Sequence, residues 1–598
     1  MSDDTGSPPE PQSQESSRIA IGLAFGNSNS SIAYTSQTEG KAEVIANEEG
    51  DRQIPSILSY VAGEEFQGTQ AKEQIARNPR NTIAFWRDFL GKGFGDVDPS
   101  NCHASAHPVE MDGGQGVGFE VQEHDVVEGE AEGKKSTLSV SEVTTRHLRR
   151  LAKSASDYLG KSVNAAVITV PYDFTDAQKA ALTSAAQAAG IEVLQFIPEP
   201  VAALLGHDAK IQQAGEQTQP QHHDRTIIVA DLGGTRSDVA VIASRGGMYT
   251  TLSTAHDYEL GGATLDKVLV EHAAKAFVKQ YGRAGADPRT NERSLAKLTI
   301  EAEAVRKALS LGASASFSVE SLSDGIDFSL SVNRSRFELL ANKTLMSFTR
   351  LIESAVQKAD LDVLDIDTIL LAGGASHTPK IAANLASRFP ATTTIISPST
   401  DPHALNPSEL TARGAAIQAS LIQGFEHQDI EDSTEAVVTV TPHLSQAIGL
   451  VTGKEGEESF ALIVEPDTPV PVRRTAQITV PAGGDVLVRL AEGVHHISVS
   501  QAEKAATNGA GGKADDDDDS EDEDDEPEEV RSKVFKAGKV LAEAGLRGVK
   551  KGAKVEVQVS VAGDLGVTVV VREVGAGAQK GGVRGSVEGT GVAQNGSA

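Results

Sequence analysis

Three stretches of this chain place glycine and small polar residues where a phosphate could be held. The first is "IAIGLAFGNSNSSIAY" (19–34), in which an apolar strand turns through Gly26, Asn27, Ser28 and Asn29 into a second strand. The next is "IIVADLGGTRSDVAVI" (227–242), 208 residues later, with Gly233, Gly234, Thr235 and Arg236 at the same place in the pattern. The last, "TILLAGGASHTPKI" (368–381), runs from an apolar strand through Gly373, Gly374, Ala375 and His377 into a helix start. Glycines at such positions let backbone N–H groups approach an anion, and a helix N-terminus favours its charge. In "LTIEAEAVRKALS", residues Glu303, Arg306, Lys307 and Ser310 fall at i, i+3, i+4 and i+7, so they share one helical face. Taken singly, each has a plainer account: unrelated hairpins, a glycine turn, a solvated stripe with a Glu–Lys pair. In the first hairpin, Ala24 and Phe25 stand where a carboxylate would manage a metal and its waters.

The elements that must position these residues divide the chain. From 18 to about 425, β-rich and helical runs alternate, and the two similar hairpins suggest a duplicated, two-lobed α/β unit with a ligand between the lobes. Within it, "VPYDFTDAQKAALTSAAQAAG" reads as a strand and a helix opened by a Thr175–Gln178 capping box, and Glu199-Pro200 opens another helix. A polar linker is expected over 426–436. Alternating strands from 437 to 574 predict a β-sandwich, interrupted over 502–531 by a glycine-rich and acidic tract unable to bury enough apolar surface to order itself. The basic segment that follows this tract either pairs with it or returns the chain to the sandwich. The leader, 1–17, is expected to be disordered and the tail, 575–598, flexible.

Composition excludes several classes. Of the 598 residues 39% are hydrophobic and only 4% aromatic, and the net charge is -30, which argues against a base-stacking nucleic-acid surface. Thirteen of the 84 acids lie within 515–529, leaving 71 acids against 54 bases elsewhere, an ordinary balance. One cysteine, Cys102, forbids an internal disulfide and fits a reducing compartment. No apolar run approaches the roughly 18 residues of a membrane span, and the leader lacks a signal-peptide layout. A cytoplasmic protein without a membrane partner is expected.

The order of these motifs resembles the actin-like ATPase domain of the DnaK-type, seventy-kilodalton heat-shock chaperones. "NEEGDRQIPSIL", "GTQAKEQIARNPRNTIAFWRDFLGK", "YELGGATLD", "DGIDFSLSVNRSRFELL" and "NPSELTARGAAIQASL" extend the match from Ile19 to about Ile422. The resemblance implies an ATP site. Its adenosine is gripped by Glu303, Arg306, Lys307 and Ser310, with Gly373, Gly374, Ala375 and His377 opposite. Its phosphates meet Gly26, Asn27, Ser28, Asn29, Gly233, Gly234 and Thr235; beyond what the resemblance implies, the permanent charge of Arg236 is expected to clamp the terminal one. Asp231 and Glu199 are the carboxylates left near Mg²⁺, reached through water. The β-rich remainder is similar to the family's peptide-binding sandwich only loosely, and no helical lid like the family's is expected after it.

Departures from the family pattern gather on the chemistry. Ala24 stands for an aspartate, Arg87 for the lysine that orients the attacking water, Arg236 for a threonine, and Ala263 and Thr264 for an acidic pair; Ser408 for an aspartate is milder. Holding ATP needs donors, cations and a stacking surface, whereas cutting it needs an in-line water and a tuned charge field. Bound but uncut nucleotide is therefore expected. This pattern resembles the atypical Ssz family of fungal ribosome-associated chaperones. That resemblance implies a stable pairing with a zuotin-like J-domain protein, indirect attachment to the ribosome, and assistance to a separate DnaK-type chaperone on nascent chains. The alternative is an active ATP-dependent peptide-binding chaperone with a divergent site. A small-molecule kinase on the same fold is disfavoured by the length of the match and the trailing β-region.

Overall fold

The computed structural model describes residues 18–36, 40–102, 105–114, 116–122, 135–213, 224–282, 287–434, 443–444, 446–452, 459–501, 529–574 and 583–587. Two of its sheets, one in each lobe, repeat one topology. In lobe I the strand order is Glu192–Pro198, Ala165–Val170, Ala20–Phe25, Asn29–Thr35, Ala42–Ile45. In lobe II it is Thr394–Ile396, Thr368–Ala372, Arg225–Leu232, Ser237–Arg245, Met248–Asp257. Each is an antiparallel meander of three strands whose first strand also pairs in parallel with an incoming one. The two hairpins read from sequence are thus equivalent parts of two equivalent sheets, each with a large apolar core of its own.

Helices Glu199–Gln213 and Leu410–Ile422 pack between the sheets, and glycine sets their approach. A Cβ on Gly414 would stand 1.8 Å from the carbonyl oxygen of Ala202, and one on Gly22 would stand 2.1 Å from the backbone nitrogen of Ala416. No other side chain fits either place. The capping box at Thr175 and Gln178 is formed: the Gln178 backbone N–H donates to the Thr175 hydroxyl, and the Gln178 side chain accepts from the Thr175 N–H.

After Thr434 every regular element among the described residues is a strand, in two sheets of four. One holds Ser459–Val464, Ala447–Thr452, Gly484–Gln501 and Glu529–Val549; the other holds Val472–Val480, Ala553–Val561, Val567–Val574 and Val583–Val587. The alternating valines Val555, Val557, Val559, Val567, Val569 and Val571 are buried between them, as a period of two requires of a sandwich. The basic segment after the acidic tract returns the chain to the sheet, its first residue, Arg531, pairing with Val499.

Three boundaries differ from the sequence expectation. The segment read as a linker contains a helix, His427–Thr434, whose single apolar residue, Ile430, is buried beside Ile197 and Ile422; one apolar residue leaves no period to detect. The strand Glu529–Val549 begins inside the stretch assigned to the acidic insert. The stretch assigned to the flexible tail contains the strand Val583–Val587, held by pairing with Val567–Val574. The leader 1–17, residues 502–528, and the tail outside 583–587 lie outside the described residues.

The β-domain meets lobe II directly. Arg245, buried, donates to the carbonyl of Pro466; Arg474 pairs with Asp224 at 3.3 Å; and His443 hydrogen-bonds Thr250 at 3.0 Å. No helix among the described residues is long and apolar enough to cross a membrane.

Candidate functional site

A cavity of about 910 Å³ lies between the lobes, and all eighteen residues expected at the nucleotide site line it. Its floor is made by the two hairpin turns, which touch. Asn27 donates to the Thr235 hydroxyl at 3.1 Å, and a Cβ on Gly234 would stand 2.3 Å from Ser28 Oγ. Beneath the first turn a buried chain of hydrogen bonds runs from His147 Nε2 to Ser30 (3.0 Å), from Ser30 to Ser56 (2.9 Å), and from Ser56 to the Gly26 carbonyl (2.8 Å). Sequence reasoning missed His147. Burial alone drives its pKa down to about 4, so the ring is neutral.

In the third stretch the two glycines differ. Gly373 has φ +79, and a Cβ there would strike the Leu232 carbonyl at 2.4 Å and Asp231 Oδ1 at 2.5 Å. A Cβ on Gly374 would meet only Ser408 Oγ, at 3.8 Å. Gly373 is the position that demands glycine. His377 is held by Asn406 at 3.1 Å and Ser408 at 3.3 Å.

Helix Glu292–Leu311 presents Glu303, Arg306, Lys307 and Ser310 to the cleft, but their charges are already engaged. Arg306 donates to buried Asp266 at 2.6 Å, so its guanidinium is part of the wall. Glu303 bonds Lys307 at 2.7 Å and, across the cleft mouth, Lys72 at 2.6 Å. Burial would raise the Glu303 pKa, but the two ammonium groups outweigh it and hold the carboxyl down at about 2. Lys72, Asp266 and Asn406 lie in ordinary-looking helical and loop sequence, which gave no signal for them.

At the chemical end, both replacement arginines are occupied by protein carboxylates. Arg87 lies buried, donating to Glu199 at 3.0 Å, to Asp88 at 2.8 Å and to the Phe25 carbonyl at 3.2 Å. Arg236 donates to both oxygens of Asp238 (2.5 and 2.7 Å) and to Asp173 at 2.7 Å, and lies 4.8 Å over the Tyr258 ring. The guanidinium expected to clamp the terminal phosphate is therefore neutralised twice over by carboxylates. Burial pushes the Glu199 carboxyl up to about 7 against the pull of Arg87. Burial and the neighbouring Glu199 charge drive Asp231 well above the usual carboxylate range.

Asp231 accepts from no protein donor among the described residues, so its oxygens suit a cation's waters, and a cation's charge would offset the burial that raises its pKa. No group of three or more His, Cys, Asp or Glu among the described residues could hold a metal unaided. The donors present fit Mg²⁺ carried on the phosphates and reached through its waters by Asp231 and Glu199, since Mg²⁺ binds oxygen and dehydrates reluctantly.

Comparison with known proteins agrees with this geometry. The family model described as Hsp70 protein matches residues 20–480. The ribosome-associated complex subunit SSZ1 of Saccharomyces cerevisiae is 43% identical over 93% of this chain and 98% of its own length. The heat shock protein 70 homolog C57A7.12 of Schizosaccharomyces pombe is 41% identical over 93% of this chain and 94% of its own. The heat shock 70 kDa protein 14-A of Xenopus laevis is 31% identical over 81% of this chain. Two sheets of one topology closing on a glycine-lined cleft, followed by a β-sandwich, belong together with these matches: the chain is a member of the Hsp70 family.

Proposed function

We infer that this chain is a chaperone subunit that holds ATP without hydrolysing it. In this reading it pairs stably with a zuotin-like J-domain protein at the cytoplasmic ribosome and assists a second DnaK-type chaperone on nascent chains. The observation that carries the reading is that Arg87 and Arg236, at the two positions nearest the expected chemistry, spend their charge on Glu199, Asp88, Asp238 and Asp173. Phosphoryl transfer needs cations aimed at the developing charge and a placed water, and losing one such group costs on the order of 10²-fold in rate. Ala24 supplies no carboxylate to order that water. The parts expected to grip the nucleotide line one cleft: the touching hairpins, Gly373 and the Glu303 helix face. Mg²⁺, when bound with the nucleotide, neutralises phosphate charge; Asp231 and Glu199 would hold its waters. The name of the yeast relative, a subunit of a ribosome-associated complex, supports the partner half of the reading.

Native purification from the source cell tests it. A J-domain protein at one-to-one stoichiometry, ribosome co-sedimentation and ATP as the recovered nucleotide are expected. A free monomer carrying ADP would overturn it.

A further inference from the structure

The Arg236 network also crosses between the lobes. Arg236 sits in the lobe II hairpin turn, and Tyr258 follows the lobe II strand Met248–Asp257. Asp173 belongs to lobe I, three residues beyond the end of the strand Ala165–Val170. Asp173 receives Arg236 at 2.7 Å on one oxygen and the Tyr258 hydroxyl at 2.5 Å on the other. Asp238 grips the remaining face of the guanidinium, fixing its direction toward lobe I. A second cross-lobe bond lies beside it, between the hydroxyls of Tyr172 and Thr251 at 2.6 Å.

We propose that Asp173, Arg236 and Tyr258 form a latch at the cleft floor that keeps the lobes closed with or without nucleotide. All of its bonds run between protein side chains. Arg236 is buried and Asp238, on its own lobe, fixes its direction, so opening the floor would part the Arg236–Asp173 ion pair and the Tyr258–Asp173 bond together. A ligand moves an equilibrium only by its differential affinity for the two states, so a cleft closed in advance has little left to report. The latch goes beyond the absence of hydrolysis: it uncouples lobe geometry from which nucleotide is bound.

Spin labels at Tyr158→Cys on lobe I and Leu339→Cys on lobe II test this in the full-length chain by double electron–electron resonance. Both positions are exposed, while the native Cys102 is buried with its thiol pushed up to about 12, so it will not compete for label. One narrow distance distribution is expected, superimposable without nucleotide, with ADP and with ATP. In Asp173→Asn the nucleotide-free distribution should broaden and ATP should narrow it again. Tyr258→Phe, a half-exposed position safe for folding, should do the same to a smaller extent. A wild-type distribution that shifts between ADP and ATP, or variants that match the wild type in all three conditions, would overturn the latch. Either result leaves the hydrolysis reading standing, because that reading is measured by phosphate release.

Discussion

Lys72 Nζ of lobe I stands 2.6 Å from Glu303 Oε2 of lobe II, closing the mouth of the cleft above the position expected for adenosine. Both side chains are about three-quarters shielded from water, which places the pair between weak surface bridges and fully buried ones. Replacing Lys72 by Ala should speed nucleotide release about tenfold, the equivalent of about 1.4 kcal/mol, read by stopped-flow chase of a fluorescent ATP analogue. An unchanged release rate would assign closure to the floor alone.

Glycine contacts between the helices and sheets carry a stability prediction. Gly414→Ala forces a methyl group into the Ala202 backbone and should cost about 3 kcal/mol or more, seen as a lowered denaturation midpoint. Gly424→Ala, where a Cβ meets nothing within 4 Å, should be nearly neutral. Equal effects would contradict the packing described for Leu410–Ile422.

The same reasoning separates the paired glycines of the nucleotide wall. Gly373→Ala should weaken nucleotide binding by at least about tenfold, because the left-handed backbone and Asp231 leave no room for it. Gly374→Ala should bind within about twofold of wild type in equilibrium titration.

His147 gives stability a pH dependence of known sign. Burial lowers its folded pKa to about 4 from an ordinary 6.5, so the fold favours the neutral ring. Its contribution is complete above pH 6.5 and is lost as pH falls toward 4. Between pH 7.5 and 5 the loss is about 2 kcal/mol. Urea melts of His147→Gln should show a pH profile flatter by that amount; parallel profiles would mean the ring titrates normally.

Much of this site was legible in the sequence because it rests on local patterns. Gly-containing turns between apolar runs gave the hairpins, the i, i+4 spacing gave the Glu303 face, and Thr175 with Gln178 gave the cap. What was not legible depends on partners distant in the chain. Arg236 reads as a phosphate ligand until Asp173, 63 residues earlier, is found beside it. Arg306 reads as a free cation on the cleft wall until Asp266, 40 residues earlier, is found paired with it. Charge identity is written locally, whereas charge neutralisation is set by the fold.

Ala24→Asp isolates one departure from the family pattern. Restoring the carboxylate leaves Arg87 and Arg236 in their ion pairs, so turnover should stay within about tenfold of wild type. A large gain from this single change would place the whole defect at Ala24.

Single-turnover hydrolysis of γ-labelled ATP by the full-length protein, with and without an added J-domain, tests the central claim most directly. The engaged arginines predict near-stoichiometric nucleotide that stays triphosphate over hours and ignores the J-domain. Release of labelled phosphate within minutes, accelerated by the J-domain, would contradict it.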